Sequence, residues 1–121
     1  LEARVRKTPS SLPLPVVVVV NHLRSFGDVE GGTTQAAQDA ATRARTKRAK
    51  QAEFLAQLLQ DIQTSRPGVP LLSVGDYNAY EFNDGYADIL GTITGTPAPA
   101  DAVDVATVDL VNPNLTNLIL N

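Results

Sequence analysis

The chain has no cysteine, no methionine and no tryptophan, a single histidine, and no lysine or arginine beyond Arg66. The lack of cysteine excludes disulfide staples, thiolate metal sites and a cysteine nucleophile, and leaves the compartment open. The lack of methionine means no initiator residue, so the chain reads as processed or as an excerpt of a longer polypeptide. The alternation of Leu1-Glu2-Ala3-Arg4-Val5-Arg6, like a strand already under way, agrees with that expectation, as does the apolar close at Leu118-Ile119-Leu120-Asn121. With His22 as the sole histidine, a histidine-based zinc site lacks ligands. Any serine–histidine–aspartate triad would have to use it. The glycine-flanked nucleophile serine of hydrolases is also missing, since Ser73 falls inside an apolar run. No run approaches the ~20 apolar residues needed to span a bilayer, and no signal segment is visible.

What is present is aliphatic. Hydrophobic residues make up 43% of 121 residues and aromatics only 5%, which predicts one domain, or part of one, with a core of Val, Leu, Ile and Ala. The net charge of −3 conceals an asymmetry: all ten Lys and Arg lie at or before Arg66, and seven acids follow it. An acidic half does not attract nucleic acid by itself, though it can hold divalent cations.

Ala3 to Arg6 reads as an edge strand and Thr8 to Pro15 as a turn. The five valines Val16 to Val20 predict a strand buried on both faces, the mark of a parallel sheet rather than of a signal-peptide core. Ser25 to Thr34 is a polar loop. A helix is expected from Gln35–Asp39 to about Thr64, its apolar stripe at Ala52, Leu55, Leu58, Leu59 and Ile62. Arg66-Pro67-Gly68 stops it. Leu71 to Val74 is the next strand, ended by Gly75. Further on, Asn83-Asp84-Gly85 reads as a turn, Tyr86 to Leu90 as one helical turn and Gly91 to Ala100 as loop. Val103 to Val111 alternates weakly like a strand, Asn112-Pro113-Asn114 is a turn, and Leu115 to Leu120 is apolar and of undecided type. No internal repeat is visible.

Strand, helix, strand in this order is a crossover unit, which makes the two strands parallel. Ligands of parallel sheets sit beyond the carboxyl ends of the strands. His22, Asp76 and Asn78 are therefore expected at one edge of one sheet, a gathering that suits phosphate-ester chemistry. Each has a plainer reading. A histidine at a strand end is commonly structural, and Asp and Asn commonly open turns. A calcium loop from Asp76 fails, because Glu81 and Ala87 stand where Gly and Glu are needed. Asn114-Leu115-Thr116 is a formal glycosylation acceptor without a supporting context. The run Arg43, Arg45, Lys47, Arg48 and Lys50 could touch phosphates. A solvated helix face is the expected reading, supported by Glu53 and Asp61.

Taken together, His22, the helix and Gly75-Asp76-Tyr77-Asn78-Ala79 resemble the endonuclease/exonuclease/phosphatase superfamily. Its members carry an apolar strand ending in histidine, an amphipathic helix, and a strand ending Gly-Asp-Phe-Asn; here Tyr77 takes the Phe place. Asn21-His22-Leu23-Arg24-Ser25, then Arg45, Arg48, Ala49 and Gln51-Ala52, look most like the bacterial secreted branch of predicted extracellular nucleases. Asn83-Asp84-Gly85-Tyr86 through Gly95-Thr96-Pro97 fits that branch too. The resemblance runs from about Pro15 onward. The family's early asparagine, its metal-binding glutamate and its closing Asp-His pair have no counterpart here.

The resemblance implies an α/β fold forming part of a four-layer sandwich, two packed mixed sheets between outer helices, with residues 1–121 a partial domain. It implies metal-dependent phosphodiester hydrolysis, with nucleic acid as substrate and secretion from the cell, by a parent protein; the excerpt alone is expected to be inactive. Asp76 would orient and deprotonate water and reach the metal, Asn78 would donate to a phosphate oxygen, and His22 would bind the phosphoryl group. The cofactor the resemblance implies is magnesium, with manganese or calcium as alternatives. A lipid or inositol phosphate hydrolase of the same fold is one alternative and a non-catalytic interaction module another; a basic groove favours nucleic acid, an exposed apolar hairpin lipid. Exposed sheet edges also make self-association of the excerpt an expectation.

Overall fold

The computed structural model describes residues 1–118 and contains a single mixed sheet of three strands in the order β1-β2-β3. β1 is Glu2–Val5, β2 is Leu14–His22, and β3 is Leu71–Asp76. β1 pairs antiparallel with β2 (Glu2 opposite Val17), and β2 pairs parallel with β3 (Val17 opposite Leu71, His22 opposite Asp76). The crossover is α1, Gln35–Ser65. Thr34 caps its first turn by accepting from the Ala37 N–H at 3.2 Å. The Arg66 N–H closes the last turn on the Ile62 carbonyl at 2.9 Å, and Gly68, at φ +77°, turns the chain toward β3.

The α1 stripe runs Ala41, Ala44, Arg48, Ala52, Leu55, Leu59, all buried, at spacings of three and four. Leu58, expected within it, is exposed. Small alanines let the helix approach the sheet and α2 (Ile89–Thr94) closely. Ala49, Ala52, Leu55, Leu59, Ala87, Ile89 and Ile93 form the core, with Val19, Leu71 and Tyr77 packed against it.

Three expectations need correction. The valine strand is not buried on both faces: Val16 is 7% exposed but Val20 is 72%. Its register neighbour Val74 and nearby Leu72 are exposed as well. Only one sheet is present among the described residues, with α1 on one side, so the fold is mixed α/β without the second sheet of a four-layer sandwich. Val103 to Val111 is not a strand. The Val105 N–H bonds the Tyr86 carbonyl, and Val111 is buried while Val108 is exposed; the segment packs as an irregular strap.

The short helix α2 falls across the expected helical turn and the expected loop. Asp88 accounts for the shift, accepting from the N–H groups of Gly91 and Ala98 at 3.0 and 2.9 Å. Gly95, in the left-handed conformation, ends the helix. The end of the Leu115 to Leu120 segment lies outside the described residues, and its earlier part has no helix or strand. No helix among the described residues is long and apolar enough to cross a membrane.

Candidate functional site

The carboxyl ends of β2 and β3 bring the expected residues together. His22 and Asp76 are register partners, with His22 Nε2 3.7 Å from Asp76 Oδ2, and both side chains are largely exposed. The last rung of the ladder runs from the Leu23 N–H to the Asp76 carbonyl at 2.9 Å, so the two side chains stand on adjacent strands at the sheet rim.

Gly75 makes this approach possible. A Cβ at that position would lie 1.9 Å from the Asn21 carbonyl oxygen, and its φ of +140° suits glycine alone. What reads in sequence as turn punctuation is a steric requirement placed one residue before the carboxylate.

Asn78 closes the rim. Its backbone N–H donates to Asp76 Oδ1 at 2.9 Å, fixing the carboxylate and leaving Oδ2 toward His22. Its side-chain Nδ2 donates to the Leu23 carbonyl at 3.0 Å and so ties the loop after β3 to the loop after β2. One of the two amide protons is thereby committed; the second is the one a ligand oxygen can use. Asn78 holds φ +46°, a conformation asparagine tolerates better than most residues.

Arg48 is the residue the sequence reading misplaced. It was expected on the solvated helix face, away from the strand ends, yet it is 2% exposed. Its Nη1 donates to the carbonyls of Asn78 at 2.8 Å and Arg24 at 3.2 Å. Nη2 lies 3.8 Å from Asp84 Oδ2, an ion pair longer than a hydrogen bond, and the guanidinium sits over the Phe26 ring. Burial pulls its pKa below the ordinary arginine value, Asp84 acts in the opposite direction, and Arg24 adds to the lowering. The signal was available: Arg48 occupies the same three-and-four spacing as the buried alanines. Arg45 is also drawn inward, donating to the Val29 carbonyl and to Asp104 Oδ2, both at 2.7 Å.

The rest of the basic run keeps its exposed positions. Arg43, Lys47 and Lys50 line a groove of about 650 Å³ between α1 and the end of β2; its floor includes Val19, Val20 and Leu55, and it reaches His22. No carboxylate lines it. Among the described residues no three His, Cys, Asp or Glu side chains converge as a metal cage, and Asp76 Oδ2 is the carboxylate oxygen that faces His22. The chain matches no protein-family model, no curated protein and no solved structure.

Proposed function

We propose that the chain carries part of the active site of a metal-dependent phosphodiesterase acting on nucleic acid, outside the cell, with the remaining site groups supplied by further polypeptide. The pairing of His22 with Asp76 in register at the carboxyl rim, Asn78 locked onto the same carboxylate, carries this reading. A carboxylate with one oxygen anchored and the other open is suited to orient a water and accept its proton. His22 stands beside it to donate to, or as a cation attract, the phosphoryl oxygens. The free amide proton of Asn78 gives a second donor as charge develops there.

Magnesium keeps several waters and takes one or two carboxylates together with substrate phosphates. Asp76 fits one such ligand, manganese or calcium being the alternatives. When bound, the ion supplies charge neutralisation at the phosphoryl oxygens. The basic wall of Arg43, Lys47 and Lys50 leading to His22 supports nucleic acid over a lipid or inositol phosphate, since it follows a polyanion rather than a single headgroup.

The test is a two-substrate assay on the polypeptide that supplies the remaining groups: plasmid DNA and sphingomyelin, each with and without EDTA. DNA cleavage abolished by EDTA and by Asp76→Asn is expected. Cleavage of the lipid alone would transfer the site to a lipid phosphodiesterase, and DNA cleavage indifferent to EDTA would sink the metal mechanism.

A further inference from the structure

Four of the chain's six aromatic side chains, Phe26, Tyr80, Phe82 and Tyr86, gather in one cluster. They come from the loops leaving the two catalytic strand ends: Phe26 follows β2, and the other three follow β3. Tyr80 and Phe82 stack with ring centroids 5.1 Å apart and an interplanar angle of 9°. Phe26 meets Tyr80 edge-on at 5.3 Å, and Arg48 lies over Phe26 at 5.0 Å. The stack is thus braced from the buried side by the same arginine that holds the Asn78 carbonyl.

On its outer side the stack is open. Tyr80 is 50% exposed and Phe82 68%. One face of Phe82 is covered by Tyr80, so its exposure includes the opposite face. In a chain so poor in aromatics, two parallel rings left in water on the loop that follows Asp76 and Asn78 are unexplained by core packing.

We infer that Tyr80 and Phe82 form a stacking platform for a nucleobase of a single-stranded nucleic acid whose phosphate lies at His22 and Asp76. This rests on the phosphodiesterase reading and adds what that reading lacks, a preference for unpaired strands. A base presents its face to an aromatic ring only when unstacked from its neighbours. Stacking of this kind tolerates any base, because every base has a π-face. Glu81, exposed between the two platform residues, disfavours a phosphate there. Base and phosphate are thereby assigned to different ends of the site: the ring to Phe82, the anion toward His22.

The platform is tested on the chain itself, without metal, by fluorescence anisotropy. The probes are labelled oligothymidylate of eight nucleotides, an abasic strand of equal length and a duplex of equal length. The oligothymidylate should bind more tightly than either of the others. The double variant Tyr80→Leu, Phe82→Leu should weaken it by about ten- to a hundredfold, within the range for loss of a stacked base, and leave the abasic strand unchanged. Phe82→Trp should retain binding, which separates a lost ring from a damaged fold. Binding is read without metal and without turnover, so that failure of catalysis and failure of stacking are told apart. Equal affinity for oligothymidylate and abasic strand, no detectable oligothymidylate binding at millimolar protein, or insensitivity to the double variant would overturn the platform. So would loss of phosphatidylcholine vesicle binding in the double variant with oligothymidylate unaffected, since the rings would then be a lipid contact.

Discussion

Arg48, in the middle of α1, donates to the backbone carbonyl of Asn78 at 2.8 Å, linking the crossover helix to the loop that follows β3. The same guanidinium reaches the Arg24 carbonyl and faces Asp84, so one buried side chain spans the loops after both β2 and β3. Truncation would strand two carbonyls and an almost fully buried carboxylate together. Arg48→Ala is expected to destabilise the chain by ~2–4 kcal/mol, the range for breaking a buried charge pair with its hydrogen bonds. A urea titration with unchanged midpoint would refute this. Arg48→Lys should recover only part of the loss, because an ammonium cannot fork across two carbonyls and a carboxylate.

Gly75→Ala is the second expectation. The added methyl would sit inside the van der Waals radius of the Asn21 carbonyl, which belongs to the backbone and cannot swing aside. Overpacking and a left-handed φ for alanine add, giving a loss of about 3 kcal/mol. The displacement should also part His22 from Asp76. Nitrogen chemical shifts of the His22 ring identical to those of the unaltered chain would show that the rim does not depend on this glycine.

The crossover unit was legible because its signals are local. A valine run, a helical stripe and a second apolar run fix the order β2, α1, β3, and parallel pairing then brings His22 opposite Asp76 without further information. The position of Arg48 was legible in spacing but masked by residue type, since charge argues for the surface unless a buried partner is known, and Asp84 lies 36 residues away in sequence. Val103 to Val111 misled for the opposite reason. Its alternation reflects Val105 and Val111 reaching the core from a strap, with no neighbouring strand to complete a ladder. The aromatic cluster could not be read at all, because nothing in the spacing of Phe26 from Tyr80 announces that two loops converge.

Glu2 and Arg66 give a pH prediction. Arg66 Nη2 lies 2.9 Å from Glu2 Oε2 and joins β1 to the end of α1. The hydrogen bond and charge of Arg66 hold the Glu2 carboxyl below its ordinary value. A carboxyl depressed in the folded state stabilises the fold above its unfolded pKa, and that stability is lost as pH falls through the folded value. Glu2→Gln should therefore lower stability slightly at neutral pH and not in strong acid. Thermal melts that differ equally at both pH values would rule out the ion pair as the cause.

The described chain alone should show no magnesium-dependent cleavage of DNA. Among the described residues no three His, Cys, Asp or Glu side chains converge as a metal cage, so under the proposed reading Asp76 would hold the ion only with groups from further polypeptide. Catalytic groups that act as a unit lose nearly all their effect when one is missing. Robust cleavage by the pure chain, abolished by Asp76→Ala, would mean that these residues already contain a complete site.

In the polypeptide that supplies the remaining groups, Asp76 and Lys47 should fail in different ways. Asp76→Asn keeps the shape and can still accept the Asn78 N–H, but under the proposed reading it would remove the base that takes the proton from water; a fall of ~10²–10⁴-fold in kcat is expected. Lys47→Ala removes one exposed charge from the groove wall. It should raise KM, leave kcat nearly unchanged and reduce the dependence of binding on salt by about one phosphate contact. The two effects separate chemistry from tracking on a single substrate titration at two ionic strengths. If Lys47→Ala lowered kcat as far as Asp76→Asn, the groove would be part of the reacting centre rather than a path to it.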